Sequence, residues 1–360
     1  MKTLLFTLEY PPFNGGVANY YGNLAKYWPI DEKLVVLDNN KNELMPRQGI
    51  FAWLPAIFCL KRKLTQDKID YVIVGQILPL GTAALIVSFF RPIKYAVVLH
   101  GMDLAFALRS PRKQLVSKLI LKKASNIICA NSFVQEKLFE FLPSSKNKTT
   151  IVNPGIESGV PDSDPDDIEN IKNNYNLEDK IILLSLGRLV KRKGVDRTIE
   201  ALAQLPDQLS HKLIYFIAGA GPREEYLKQL VPPQFVKKII FLGELKDHEK
   251  WAWLKLCDIF VMPSRDISGD FEGFGIVYLE ANLCNKPVIA GTSGGVRDAV
   301  VDEETGLLVD PDRVDEIGRS VVRLMSDPAL RERLGKQGHD RAVREFNWEK
   351  QASIFCKFIK

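Results

Sequence analysis

Cysteine and histidine are scarce in this sequence, and the scarcity excludes several kinds of chemistry. Cys59, Cys129, Cys257, Cys284 and Cys356 stand far apart, are odd in number and form no CxxC. Such usage argues for a reducing compartment and against a zinc site. His100, His211, His248 and His339 lack metal-ligand spacing as well, so no metal is expected. No charged leader with a cleavage site precedes the strand-like residues 3–8, so a cytoplasmic location is expected. The Asn147-Lys-Thr149 sequon then reads as a chance match. Long apolar runs are also rare. Residues 71–90 carry no charge, and that length could span a bilayer. Gly75, Gln76, Pro79 and Gly81 interrupt the run, so a buried strand, a loop and a buried helix account for it.

The 360 residues suit two domains. Charge is divided unevenly between the halves. Residues 1–150 carry 20 Lys+Arg against 10 Asp+Glu, whereas residues 151–360 carry 29 against 34. A basic half joined to an acidic one suggests that one domain meets an anionic partner. The basic residues concentrate in 109–123, where six of them interleave with Leu115, Val116, Leu119, Ile120 and Leu121 without an acid. This stretch reads either as a basic amphipathic helix on an anionic membrane surface or as a solvated helix face packed on a sheet. No aromatic platform or recognition motif accompanies the charge, so nucleic acid is not expected as a partner.

Short β-branched or apolar runs alternate with helical patterns. Strands are predicted at 3–8, 34–37, 71–74, 95–99, 126–130 and 150–152, and again at 181–186, 212–218, 239–242, 259–262 and 287–290. Alternation of this kind predicts parallel sheets with helices on both faces. The polar, acidic residues 157–180 read as a linker with a helix near 167–175. The expected division is 1–160 and 161–345, each an α/β, Rossmann-like domain, with 346–360 as a closing helix. The formal D-x-D of Asp162 and Asp164 reads as solvated linker, and Asp310-Pro-Asp312 as a turn and helix cap.

Chemistry-bearing residues cluster where strands end. Gly15 and Gly16 open a helix expected from about residue 18, and a double glycine there lets a ligand approach the backbone closely. His100-Gly101-Met-Asp103 follows a strand at its carboxyl end, where ligands of open α/β sheets bind. Arg188 and Lys193 lie in one loop, and several cations together suit a diphosphate. Gly219-Ala-Gly221 begins like a dinucleotide fingerprint, but Glu224 stands where the third glycine belongs, so the two glycines are expected to let a ligand approach the backbone closely and not to bind NAD. In residues 270–281, Glu272 and Glu280 flank Gly273-Phe274-Gly275 and an apolar run. A loop turning into a helix near Gly275 would leave the amides of Gly275, Ile276 and Val277 free at the positive end of the helix dipole. A diphosphate there, with sugar hydroxyls on either carboxylate, would fit.

Together these pieces resemble glycosyltransferase family 4, the retaining nucleotide-sugar transferases of GT-B fold. The resemblance also draws on Asn153-Pro-Gly155, Gly294-Gly295 and Glu304-Thr-Gly306-Leu-Leu-Val309, in the family's order over nearly the whole chain. It implies two Rossmann-like domains facing each other across a cleft, with the last helix crossing back to the first. It implies that Glu280 holds the donor ribose, and that Glu272 with the backbone at Gly273, Phe274 and Gly275 holds the sugar. Arg188 and Lys193 would neutralise the diphosphate, with Gly16 and the amides near Ile276 assisting, and His100 would lie by the reacting carbon. The donor would be a nucleoside diphosphate sugar, and no metal or other cofactor would be needed. The acceptor would be a glycan or a lipid-linked glycan at the inner membrane face. Residues 265–270 resemble the bacterial mannosyltransferase branch, which makes GDP-mannose the first donor expected, ahead of UDP-glucose and UDP-N-acetylglucosamine. Many members have Gly-Gly-x-Pro-Glu where this chain has Gly294-Gly295-Val296-Arg297-Asp298. The alternatives are an epimerase of the same fold and a nicotinamide-dependent oxidoreductase resting on Gly219-x-Gly221.

Overall fold

Two six-stranded parallel sheets carry the chain. In a computed structural model that describes residues 1–13, 15–46, 49, 51–157, 159–161 and 165–360, the strands of the first are β1 (Lys2–Phe6), β2 (Lys33–Leu37), β3 (Tyr71–Val74), β4 (Lys94–Leu99), β5 (Asn126–Cys129) and β6 (Thr149–Ile151). They pair in the order β2-β1-β3-β4-β5-β6. The second sheet holds β7 (Ile181–Leu186), β8 (Leu213–Ala218), β9 (Ile239–Gly243), β10 (Ile259–Met262), β11 (Val288–Gly291) and β12 (Gly306–Val309), in the order β12-β11-β10-β7-β8-β9. Asp162 and Asp164 lie outside the described residues.

The central strands are apolar on both faces because helices cover both. In the first sheet, Leu4, Phe6, Val72, Val74, Val97 and Ile127 join one core, whereas Leu5, Tyr71, Ile73, Ala96, Val98 and Ile128 join the other. That alternation follows from the two-residue period of a strand. The second core is closed by helix Gly16–Lys26 and by Trp348–Ile359, which buries Trp348, Ala352, Phe355, Cys356 and Ile359. The final helix therefore belongs to the first unit. Each fully buried large side chain, such as Phe355, contributes roughly 1.5–3 kcal/mol of burial free energy. The charge-free residues 71–90 resolve into β3 and the buried helix Leu80–Phe90. Among the described residues, no helix is long and apolar enough to cross a membrane.

The units comprise Met1–Gly155 with Trp348–Lys360, and Ile156–Asn347. The division falls a few residues before the expected 160/161 boundary. Ile156 is already tied into the second unit by a bridge to Asn347 and by donating its N–H to the Phe346 carbonyl at 2.7 Å. Other departures are local. The helix expected from residue 18 begins at Gly16. The basic stretch is helical only from Pro111, where Ser110 caps the helix Pro111–Lys123 by accepting the Lys113 N–H. β12 was not expected, because four residues carry too little pattern and only pairing with β11 makes them a strand.

Candidate functional site

In the second sheet the strand order reverses between β7 and β10, which makes that crevice the ligand site of an open α/β sheet. Two loops meet there. One follows β7 and carries Gly187 to Gly194, and the other follows β10 and leads to the helix Ile276–Leu283. They pack backbone to backbone. A Cβ on Gly194, whose φ is +73°, would stand 2.1 Å from the Pro263 carbonyl oxygen. Arg265, 3% exposed, clamps the contact. Its N–H donates to Arg192 O at 2.8 Å, its Nε donates to Lys191 O at 3.2 Å, and its guanidinium pairs with the buried Asp196.

This clamp brings Lys193 to Glu272. Lys193 Nζ lies 2.8 Å from Glu272 Oε2, and both side chains are almost buried. Arg192 Nε adds a second cation, 3.9 Å from Glu272 and 3.7 Å from Asp270. The Glu272 backbone is held in turn. Its N–H donates to Ser293 Oγ at 3.3 Å, and its carbonyl accepts the Gly295 N–H at 3.0 Å. Gly294 is glycine because a Cβ there would lie 2.1 Å from that carbonyl. The side chain of Phe274 is buried in the core against Phe346, leaving only its backbone for a ligand. Gly275 then takes φ +84° and caps the helix, so the first-turn amides of Ile276 and Val277 have no carbonyl one turn back within the helix. Glu280, one turn in, pairs with Lys250 at 2.9 Å.

Beside these groups opens a cavity of about 690 Å³, lined in part by Arg188, Gly219, Gly221, Pro222, Glu244 and Lys250. That volume lies within the range of a small-molecule pocket. Arg188 is exposed. The glycines divide into two kinds. Cβ atoms on Gly219 and Gly221 would strike the backbones of Gly187 and Leu189, so packing within the protein itself demands glycine at these two positions, which also line the cavity. Gly273 and Gly16 differ. A Cβ on either would meet nothing within 4 Å, and neither has a positive φ, so the protein itself does not demand glycine there. The open space beside both is what a ligand would use.

Gly15, Gly16 and His100 lie in the first unit. Gly15 caps the helix that Gly16 begins, and His100 follows β4. The His100 and Gly101 N–H groups donate to Asp103 Oδ1, both at 2.9 Å, which pins the turn. Burial lowers the His100 pKa to about 4, so the ring is neutral at physiological pH. Burial also raises Asp103 to about 6, against the opposing pull of its backbone hydrogen bonds.

The structure thus brings Arg188, Lys193, Glu272, Gly273, Gly275 and Glu280 to one crevice of the second unit. Lys250, Arg192 and Arg265 belong there too, although the sequence singled out none of them for the site. Lys250 sits inside the helix Asp247–Leu256 with no glycine or strand end to mark it, and Arg192 looks like one more basic turn residue. A clustered carboxylate and cations beside free helix amides can hold a phosphate and a hydroxyl-bearing group side by side.

Residues 14–159 match the family model described as Glycosyltransferase Family 4, and residues 167–341 match that of Glycosyl transferases group 1. A mannosyltransferase of Mycolicibacterium smegmatis, GDP-mannose-dependent and acting on phosphatidylinositol monomannoside, is 27% identical over 99% of this chain and 97% of its own length. A GDP-mannose-dependent counterpart from Corynebacterium glutamicum, acting on the monoacylated lipid, is 29% identical over 97% and 95%. Among solved structures, a glycosyltransferase of Rickettsia africae superposes with a TM-score of 0.83 at 17% identity, covering 100% of this chain and 98% of its own. Anabaena HepE, crystallised with UDP, gives 0.80 at 20% identity over 99% of each chain. The two family models and the fold therefore define a glycosyltransferase of GT-B fold. The chain belongs to glycosyltransferase family 4.

Proposed function

We propose that this enzyme transfers mannose from GDP-mannose, with retention at the anomeric carbon, to a mannose-bearing lipid at an anionic membrane surface. The observation that carries the reading is the Lys193–Glu272 pair beside Gly273 and the first turn of the helix Ile276–Leu283. A sugar phosphate needs a cation for its phosphate and an acceptor for its hydroxyls within one bond's reach of each other, and this pair supplies both. Arg188, Lys193 and the helix amides neutralise the leaving diphosphate, and no metal is needed for that task. Glu272 accepts from hydroxyls of the transferred mannose, while Glu280, aligned by Lys250, accepts from the ribose. For His100 and Gly16, which belong to the first unit, the family resemblance implies roles at the sugar and at the phosphate. A transition state of oxocarbenium character is stabilised by the departing charge being held in place.

The relatives' names support GDP-mannose as donor and a phosphatidylinositol mannoside as the class of acceptor. The surface supports a peripheral, cytoplasmic-side location. On the helix Pro111–Lys123, Leu115 and Leu119 stay exposed beside exposed Arg112, Lys122 and Lys123, while Ile120 and Leu121 are buried. The test is an assay with a lipid mannoside and GDP-mannose, UDP-glucose or UDP-N-acetylglucosamine, with the product's anomeric configuration read by NMR. Release of GDP with formation of an α-linked product is expected. Preference for a UDP-sugar would overturn the donor, and a β-linked product would overturn retention.

A further inference from the structure

A hydrogen-bond chain at the strand ends of the first unit leads from Gly75 through Tyr21 to His100, and Tyr21 and Gly75 have none of the roles above. The Tyr21 hydroxyl donates to the Gly75 carbonyl at 2.7 Å, and the same oxygen lies 2.9 Å from His100 Nε2. A phenol carries one proton, and a carbonyl can only accept. Tyr21 is fully buried, and burial raises its pKa well above the usual phenol value, so that proton stays on the oxygen and is committed to Gly75. The contact with His100 must therefore use a hydrogen on Nε2. In a neutral ring this leaves Nδ1 with a bare lone pair. Nδ1 has no partner among the described residues, and His100 is partly exposed. The ring plane is fixed by edge contacts to Tyr20 and Tyr21, at 4.9 and 5.3 Å between centroids. Gly75 completes the device. A Cβ there would stand 2.8 Å from the Thr7 hydroxyl and 3.1 Å from the Tyr21 ring, so only glycine lets its carbonyl come this close.

We propose that Tyr21 is a positioning residue that locks His100 in the Nε2–H tautomer, so that Nδ1 accepts a hydrogen bond from a sugar hydroxyl. The group it takes is a neutral hydroxyl, because a lone pair repels a carboxylate or a phosphate. The inference rests on the reading that His100 serves the transferred sugar, and the experiment separates the two.

Nitrogen-15 NMR of the imidazoles, with His100→Gln to assign the signal, is expected to show Nε2 protonated and Nδ1 bare in the unaltered protein. The opposite tautomer overturns the proposal whatever the kinetics show. Tyr21→Phe keeps the buried ring and removes the hydroxyl. It is expected to lower kcat roughly ten-fold with little change in donor KM, the loss of about one hydrogen bond in the transition state. Its imidazole spectrum should show both tautomers, and adding Tyr21→Phe to His100→Ala should cost nothing further. Full kcat in Tyr21→Phe, with His100→Ala inactive, overturns the role of Tyr21 and leaves that of His100 standing. Full activity in His100→Ala overturns the underlying reading. If Tyr21→Phe does not fold, the spectrum of the unaltered protein still decides the tautomer.

Discussion

Lys193 and Glu272 form an almost buried ion pair, so neither can be removed without leaving the other uncompensated. Glu272→Ala and Lys193→Ala are each expected to lower transfer by roughly 10²-fold or more, because in the proposed function each strips a group that serves the sugar phosphate. The two should differ in their response to GDP. In Glu272→Ala the freed Lys193 gains a phosphate as its counter-ion, so GDP should raise the melting temperature more than in the unaltered protein. In Lys193→Ala the GDP shift should shrink. Equal shifts in both would contradict the assignment of Lys193 to the diphosphate. The first unit offers a pH test. His100 titrates near 4 in the folded chain against an ordinary 6.5, so the unfolded chain binds a proton first as pH falls, and stability drops from pH 6.5 towards 4. Asp103 is shifted up from 3.8 to about 6, so the unfolded chain loses its proton first as pH rises, and stability drops from pH 4 towards 6. Asp103→Asn keeps the Oδ1 acceptor and removes the second slope. Its urea midpoint should therefore gain on that of the unaltered protein between pH 4 and 6, and a constant difference would refute the Asp103 shift.

At the scale of the element, the site is a set of loops whose glycines have two separate reasons to exist. Gly275 needs its φ of +84°, and a Cβ there would lie 2.4 Å from the Tyr278 ring. Gly275→Ala should cost about 1–3 kcal/mol of stability in urea unfolding. Gly273→Ala meets no such obstacle. It should leave the urea midpoint nearly unchanged and raise the donor KM, because the methyl group occupies space left for the ligand. A stability loss as large as that of Gly275→Ala would show that Gly273 is there for the protein. The clamp made by Arg265 and Asp196 belongs to the same scale, since it holds the turn of Lys193 against the loop of Glu272 by two backbone carbonyls and one buried pair.

For the whole molecule, the uneven charge acquires a location. The exposed Arg112, Lys122 and Lys123 lie on a helix of the basic first unit that also exposes two leucines. Sedimentation with anionic vesicles is expected to show binding that weakens with salt. Replacing these three residues by serine should lower the affinity roughly 10²-fold, at about 1 kcal/mol per charge. Their removal should leave donor hydrolysis in detergent unchanged. Salt-independent binding would show that charge does not drive the contact.

Much of this architecture was legible along the chain. Eleven of the strands follow from apolar runs between turn residues, since a strand buried on both faces must be apolar throughout. The turn of Gly275 into a helix, with Glu272 before it and Glu280 inside, could be read from spacing alone. The exact partners could not. That Lys193 meets Glu272, that Lys250 meets Glu280 and that Tyr21 meets His100 depends on loops and helices that follow strands far apart in sequence. β12 and the boundary at Ile156 are likewise products of pairing, not of local pattern. Sequence by itself marked Arg188, Lys193, Glu272 and Glu280 as candidates for the chemistry, because periodicity and turn chemistry are local, but it did not mark Lys250, Arg192 or Tyr21. Only the tertiary structure decided which of them share a counter-ion, a proton or an open space, because those depend on distances of 3 to 4 Å between segments that no local rule connects.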